Sequence, residues 1–274
     1  MIDYENYMDI MRELSFNKDQ HVTDDNMFKR FDIIRKSLNV KGNASFFRYR
    51  SLENEYVFDE IEKQYAFMSP LDKFDDKYEG KYLFDETDSQ KGICREWIDC
   101  CNYRYNKTLR VTCFTTAKDM MPFWYYYADK HTGICIEYKY REMVFDSSIV
   151  FLPVIYPEED DRFKYKYAPV NEKDIKLGGI INTLIKHPDW KFENEWRAIR
   201  YQRVESLEKP MHLPLKVHAI HFGEDVNQKN VDRIKDIIDA HKYDIKLNRM
   251  KMTTTGIVSF NLEDYDKFCV NIHS

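Results

Sequence analysis

The chain has 274 residues, a formal net charge of −5 and 43% hydrophobic residues, enough apolar content to bury a sizeable core. The acidic balance argues against a dominant polyanion-binding surface, and no window approaches the roughly 20 apolar residues that span a bilayer. The acidic start Met1-Ile2-Asp3-Tyr4-Glu5 lacks the pattern of a signal peptide, and six cysteines without a CxxC pair suit a reducing, cytoplasmic setting.

In chain order, helical spacing of Tyr4, Tyr7, Met8, Met11 and Leu14 predicts a helix over 3–14, with Asp3 as N-cap. Met27, Phe28, Phe31, Ile34 and Leu38 predict a second over 24–38, broken by Val40-Lys41-Gly42-Asn43. Residues 1–42 therefore read as an N-terminal helical extension, packed on a main domain at 43–274 or mediating homo-oligomer assembly. A strand follows at 44–50, a helix at 52–63 and a strand at 65–69 stopped by Pro70. After an acidic loop at 72–80 come a helix at 93–105, a strand at 109–115 and an aromatic helix at 120–129 with Pro122 in its first turn. Strands at 134–138 and 149–155, a charged loop at 157–170, a helix at 174–187 and a strand at 195–202 continue the chain. It ends as strand 217–222, helix 228–241, strand 245–250 and strand 257–262. Short strands with irregularly inserted helices predict an α+β fold around a mixed, mostly antiparallel sheet. GxGxxG, GxxxxGK[ST] and GxSxG motifs are absent, and no histidine pair has metal-ligand spacing.

Four constellations carry chemistry. Arg48 and Arg50 share a strand face, as a solvent-facing pair or as a clamp for phosphate or carboxylate. Asp72, Asp75, Asp76 and Glu79 form a solvated turn or, less in keeping with their spacing, a metal site for a nuclease. Trp124 and Tyr127 lie three apart in the aromatic helix, as core or as a stacking wall for a nucleobase or nicotinamide. Glu193 and Glu195 alternate at the entry to a strand; they serve as general base and cation stabiliser, or Glu195 pairs structurally with Arg197 or Arg48.

Taken in order, Arg48-Tyr49-Arg50-Ser51-Leu52, Phe67–Asp76, Cys113–Thr116 with Phe123–Ile134, and Trp190–Arg197 resemble the DUF2971 family of bacterial proteins, some linked to phage defence. The likeness runs over about residues 44–225 and departs at Asp75, where Asn is typical, and at Lys77. The order of an Arg-bearing strand, a strand ending in Ser and a late Glu-x-Glu strand is also similar to ADP-ribosyltransferases. That resemblance implies NAD as substrate, with Arg48 or Arg50 on its phosphates and Ser69 shaping the nicotinamide pocket. It also implies Glu195 stabilising the departing cation with Glu193 in support, and Trp124 or Tyr127 stacking on the cofactor. The expectation is an NAD-using transferase or glycohydrolase of defence or toxin biology, with a protein or nucleic-acid acceptor. A non-catalytic nucleotide-sensing module and a metal-dependent nuclease are the alternatives.

Overall fold

Met27, Phe31, Ile34 and Leu38 recur at helical spacing and are all buried, which is why residues Asp24–Ser37 form helix α1. The computed structural model describes residues 7, 9–11, 24–76, 78–84, 86–157 and 167–264. The predicted helix over 3–14 lies outside them except for residues 7 and 9–11, which are helical, and the predicted loop over 157–170 does so across 158–166. The chain divides into two compact units interleaved along the sequence. Unit 1 takes residues 1–40, 67–113 and 145–211; unit 2 takes 41–66, 114–144 and 212–274.

In unit 1, β3 (Ser69–Pro70), β4 (Leu109–Thr115, to Cys113 in this unit), β7 (Glu195–Tyr201) and β6 (Ile149–Pro153) lie side by side in that order. Antiparallel pairing sets Leu152 against Arg197 and Ser69 against Val111. The strand predicted at 65–69 is therefore interrupted at Met68, and Pro70 pairs within β3 instead of stopping a strand. Helix α1 packs on β6, where Tyr7 donates its hydroxyl proton to the Pro153 carbonyl at 2.8 Å. Helices α4 (Arg95–Thr108) and α6 (Ile175–Thr183) pack closely; a Cβ on Gly179 would stand 2.6 Å from Tyr105 Cδ1, so only glycine permits that approach. The helix predicted to reach 187 ends at Thr183, after which Ile185 leaves to bridge Ile155 and a 3-10 turn covers Pro188–Glu193. A short helix, α3 (Glu86–Gln90), precedes α4.

In unit 2 the strand order is β11 (Gly256–Asn261), β10 (Lys246–Thr253), β9 (Ala219–Phe222), β5 (Ile134–Lys139) and β1 (Ser45–Arg50). Thr115, at the end of β4, stands opposite Phe47 of β1. All these pairs are antiparallel except β9 and β10, which are joined through helix α7 (Gln228–His241), as a parallel crossover requires. Asn227 caps α7 by accepting from the Lys229 amide, while Val231, Ile234 and Ile238 face inward. Helix α2 (Tyr56–Glu62) packs on α7, and β2 (Tyr65–Phe67) pairs with β8 (His212–Pro214). Helix α5 (Met121–Tyr126) buries Trp124 among Phe47, Ala128, Cys135 and Met250. The fold is α+β with mixed, mostly antiparallel pairing and flanking helices. No helix among the described residues is long and apolar enough to cross a membrane.

Candidate functional site

Unit 1 gathers five charged side chains in its interior. The 3-10 turn ends at Asn194, whose left-handed backbone (φ 43°, ψ 48°) reverses direction before β7. Glu193 and Glu195 therefore flank a turn instead of alternating along one strand, yet both reach Lys186. Its ammonium donates to Glu193 Oε2 at 2.5 Å and to Glu195 Oε2 at 3.1 Å, with Glu79 Oε2 at 3.7 Å. Arg197, two residues beyond Glu195 and hence on the same strand face, grips it bidentately: Nε to Oε1 at 2.7 Å and Nη2 to Oε2 at 2.9 Å. Nη2 also lies 2.7 Å from Glu79 Oε1, an ion-pair contact without hydrogen-bond alignment. Nη1 donates to the Thr183 carbonyl at 2.5 Å.

Arg197 is 0% exposed and each of the three carboxylate residues under 7%, so these charges persist only because they neutralise one another. Burial pushes the Glu195 pKa up, but Arg197 and then Lys186 outweigh it and hold the group below its usual range. Burial pulls Lys186 down, yet Glu195, Glu79 and Glu193 raise its pKa above the ordinary lysine value. Cys113, beside Glu195, is driven well above a normal thiol by burial and remains a protonated thiol. Tyr156 accepts the Glu195 amide proton at 3.0 Å, and Trp190 lies over the Lys186 ammonium at 5.0 Å.

Glu79 reaches this cluster from the acidic loop through Gly80, at φ 65° and pressed on Leu71, where a Cβ would come within 2.8 Å of Leu71 Cδ1. The rest of the loop faces outward: Asp72 pairs with Lys107 at 3.0 Å, and Asp76 accepts the Tyr78 amide proton at 2.8 Å. Among the described residues no three His, Cys, Asp or Glu side chains are placed to hold a metal ion. Beside Glu79, a hollow of about 350 Å³ is lined by Tyr78, Lys81, Phe84, Arg95, Asp99 and Asn102 among others. Arg95, Asp99 and Asn102 lie on successive turns of α4, so they share a face. Asn102 pins the hollow's backbone by accepting from the Tyr82 amide at 3.0 Å and donating to its carbonyl at 2.9 Å. The Arg95 guanidinium sits 4.7 Å over the Phe84 ring, and Tyr78 is 55% exposed.

The other residues singled out by sequence lie in different surroundings. Arg48 and Arg50 do share a face, but β1 is flanked by β5 and β4 and is not a solvent edge. Both guanidiniums meet Glu60 of α2, Arg48 at 3.4 Å and Arg50 at 3.3 Å, with Arg48 and Glu60 buried. Trp124 is 0% exposed, its ring edge-on to Tyr49 at 5.1 Å and its indole N–H directed at the Lys118 carbonyl at 3.4 Å. It has no open face on which a base could stack. Tyr127 is half-exposed and leans on Phe123 at 5.6 Å. Ser69 is half-buried in β3 of unit 1.

Residues 123–198 match the family model described as "Protein of unknown function (DUF2971)". That span takes in α5 from Phe123 onward and four of the five charged residues above, Lys186, Glu193, Glu195 and Arg197. It leaves out the blocks at 48–52, 67–76 and 113–116 on which the expected resemblance also drew. No curated protein and no solved structure matches the chain. Sequence spacing puts Glu79 in a solvated turn or metal site; its place in this cluster, Lys186 and the hollow escaped sequence reasoning. Glu79 is more than one hundred residues from its partners in the chain, and Lys186 carried no motif of its own.

Proposed function

We propose that the chain binds a nucleotide in the hollow of unit 1, with the ionic cluster behind Glu79 acting as the rigid wall that sets the Tyr78–Phe84 segment. The observation that carries this reading is a hollow of about 350 Å³ combining an exposed tyrosine ring with two cations, Lys81 and Arg95. Its size lies within the range of small-ligand sites, on the order of 300–1,000 Å³. A nucleobase stacks on the Tyr78 face, phosphate oxygens meet Arg95 and Lys81, and Asp99 accepts from ribose hydroxyls.

Binding without turnover is favoured because both oxygens of Glu195 are already held by Arg197 and Lys186. A carboxylate so engaged is a poor general base. The second reading, NAD glycohydrolysis or ADP-ribosyl transfer, draws on the three carboxylates gathered in the cluster, which suit a developing ribosyl cation.

Calorimetric titration with NAD, ADP-ribose and ATP separates them. The expected result is saturable binding of at least one of the three, weakened about tenfold, or about 1.4 kcal/mol, in Tyr78→Ala and Arg95→Ala, with no nicotinamide released from labelled NAD. Absence of binding at millimolar nucleotide, or affinities unchanged in both variants, sinks the proposal. Nicotinamide release that disappears in Glu195→Gln replaces it with the transferase or glycohydrolase reading.

A further inference from the structure

Three strands of unit 2 bring an acid, an imidazole and a hydroxyl into line. Glu137 on β5 holds Nε2 of His221 on β9 at 3.1 Å, and Nδ1 of the same ring lies 3.5 Å from Oγ of Ser259 on β11. His221 is 4% exposed, whereas Ser259 is only half-buried. The Glu137 carboxylate is fixed further by the Ser45 hydroxyl and the Lys139 ammonium, each 2.6 Å from Oε1. With Glu137 ionised, Nε2 carries the hydrogen-bonded proton, which leaves the Nδ1 lone pair facing the serine.

The strand register supplies the rest of a site. Met250 stands opposite Ser259, and Met252 opposite Ile257, so the four side chains share one face of the hairpin. Trp124, His131, Glu224, Met250, Met252 and Ile257 are among the residues lining a hollow of about 10 Å³ at this hairpin, room for a single water. A hydroxyl that faces a carboxylate-held imidazole is the arrangement nucleophilic acyl transfer needs.

We propose that Ser259 is a nucleophile toward small activated esters, with His221 as its base and Glu137 as the positioning residue for the ring. Ser259 Oγ bonds to the ester carbonyl carbon as its proton passes to His221 Nδ1. The bond from that carbon to the alcohol oxygen breaks, and the alcohol leaves with the proton. Water then adds to the acyl-serine, again giving a proton to His221; the acid departs and the serine hydroxyl is restored. This inference stands apart from nucleotide binding, because it uses other residues in the other unit.

The test treats the full chain with a fluorophosphonate probe and with p-nitrophenyl acetate and butyrate. The expected result is a single labelled residue, identified as Ser259 by peptide mass. Ester hydrolysis falls at least about 100-fold in Ser259→Ala with an unchanged thermal melt, and Glu137→Gln shifts the midpoint of the pH–rate profile. A wild-type chain that stays unlabelled, a label on another residue, or wild-type hydrolysis by Ser259→Ala overturns it. Mapping the label on the wild-type chain needs no variant to fold.

Discussion

The two units handle buried charge differently. In unit 1, Glu79, Lys186, Glu193, Glu195 and Arg197 interlock, with a bidentate Arg–Glu pair at 2.7 and 2.9 Å. In unit 2, Arg48 and Arg50 converge on the carboxylate of Glu60 at 3.4 and 3.3 Å. A short bidentate contact offsets desolvation far better than a long shared one, so the first cluster can lie deeper. Arg197 is 0% exposed, whereas the Arg50 side chain keeps 23% of its surface in water.

The largest expected effect breaks the first cluster. Arg197→Met strands Glu79 and Glu195 in the interior and lowers stability by about 3–5 kcal/mol, read as a shifted urea midpoint. Glu60→Gln removes a carboxylate shared by two guanidiniums but leaves Arg50 partly solvated, and costs about 1.5–3 kcal/mol in the same assay. Equal losses in the two variants erase the contrast between the units.

Acid sharpens it with a gentler perturbation. Glu195 is held below its ordinary value of 4.5, so its stabilising contribution is complete above that pH and is lost as pH falls from about 4.5 toward the lowered folded-state value. Glu137 in unit 2 follows the same sign, because hydrogen bonds from His221, Lys139 and Ser45 outweigh the upward push of burial. Denaturation series at pH 6, 4 and 3 are expected to show declining stability, with a shallower slope in Glu195→Gln. A slope unchanged in that variant removes Glu195 from the acid response.

Where periodicity is local, the chain is legible. Helix α7 spans Gln228–His241 and β4 spans Leu109–Thr115, the ranges that spacing alone predicts. Reading fails where a single backbone position redirects the chain. Asn194 in the left-handed region converts an alternating Glu-x-Glu strand entry into a corner, and the predicted strand at 65–69 divides at Met68. The aromatic helix shows the same limit. Its spacing placed Trp124 and Tyr127 on one face but carried no sign that Tyr49 and the core would close over Trp124.

By itself, the order of residues determined the α+β class, most helices and strands, and the pairing of Arg48 with Arg50 on one face, because propensity and side-chain alternation act over a few neighbouring positions. Only the tertiary structure decided which charges meet. Glu79, Lys186 and Arg197 come together across more than one hundred residues, as do Glu137 and Ser259 around His221. Electrostatic partnership depends on distance in space and on the loss of water around the pair, and neither is written in local spacing.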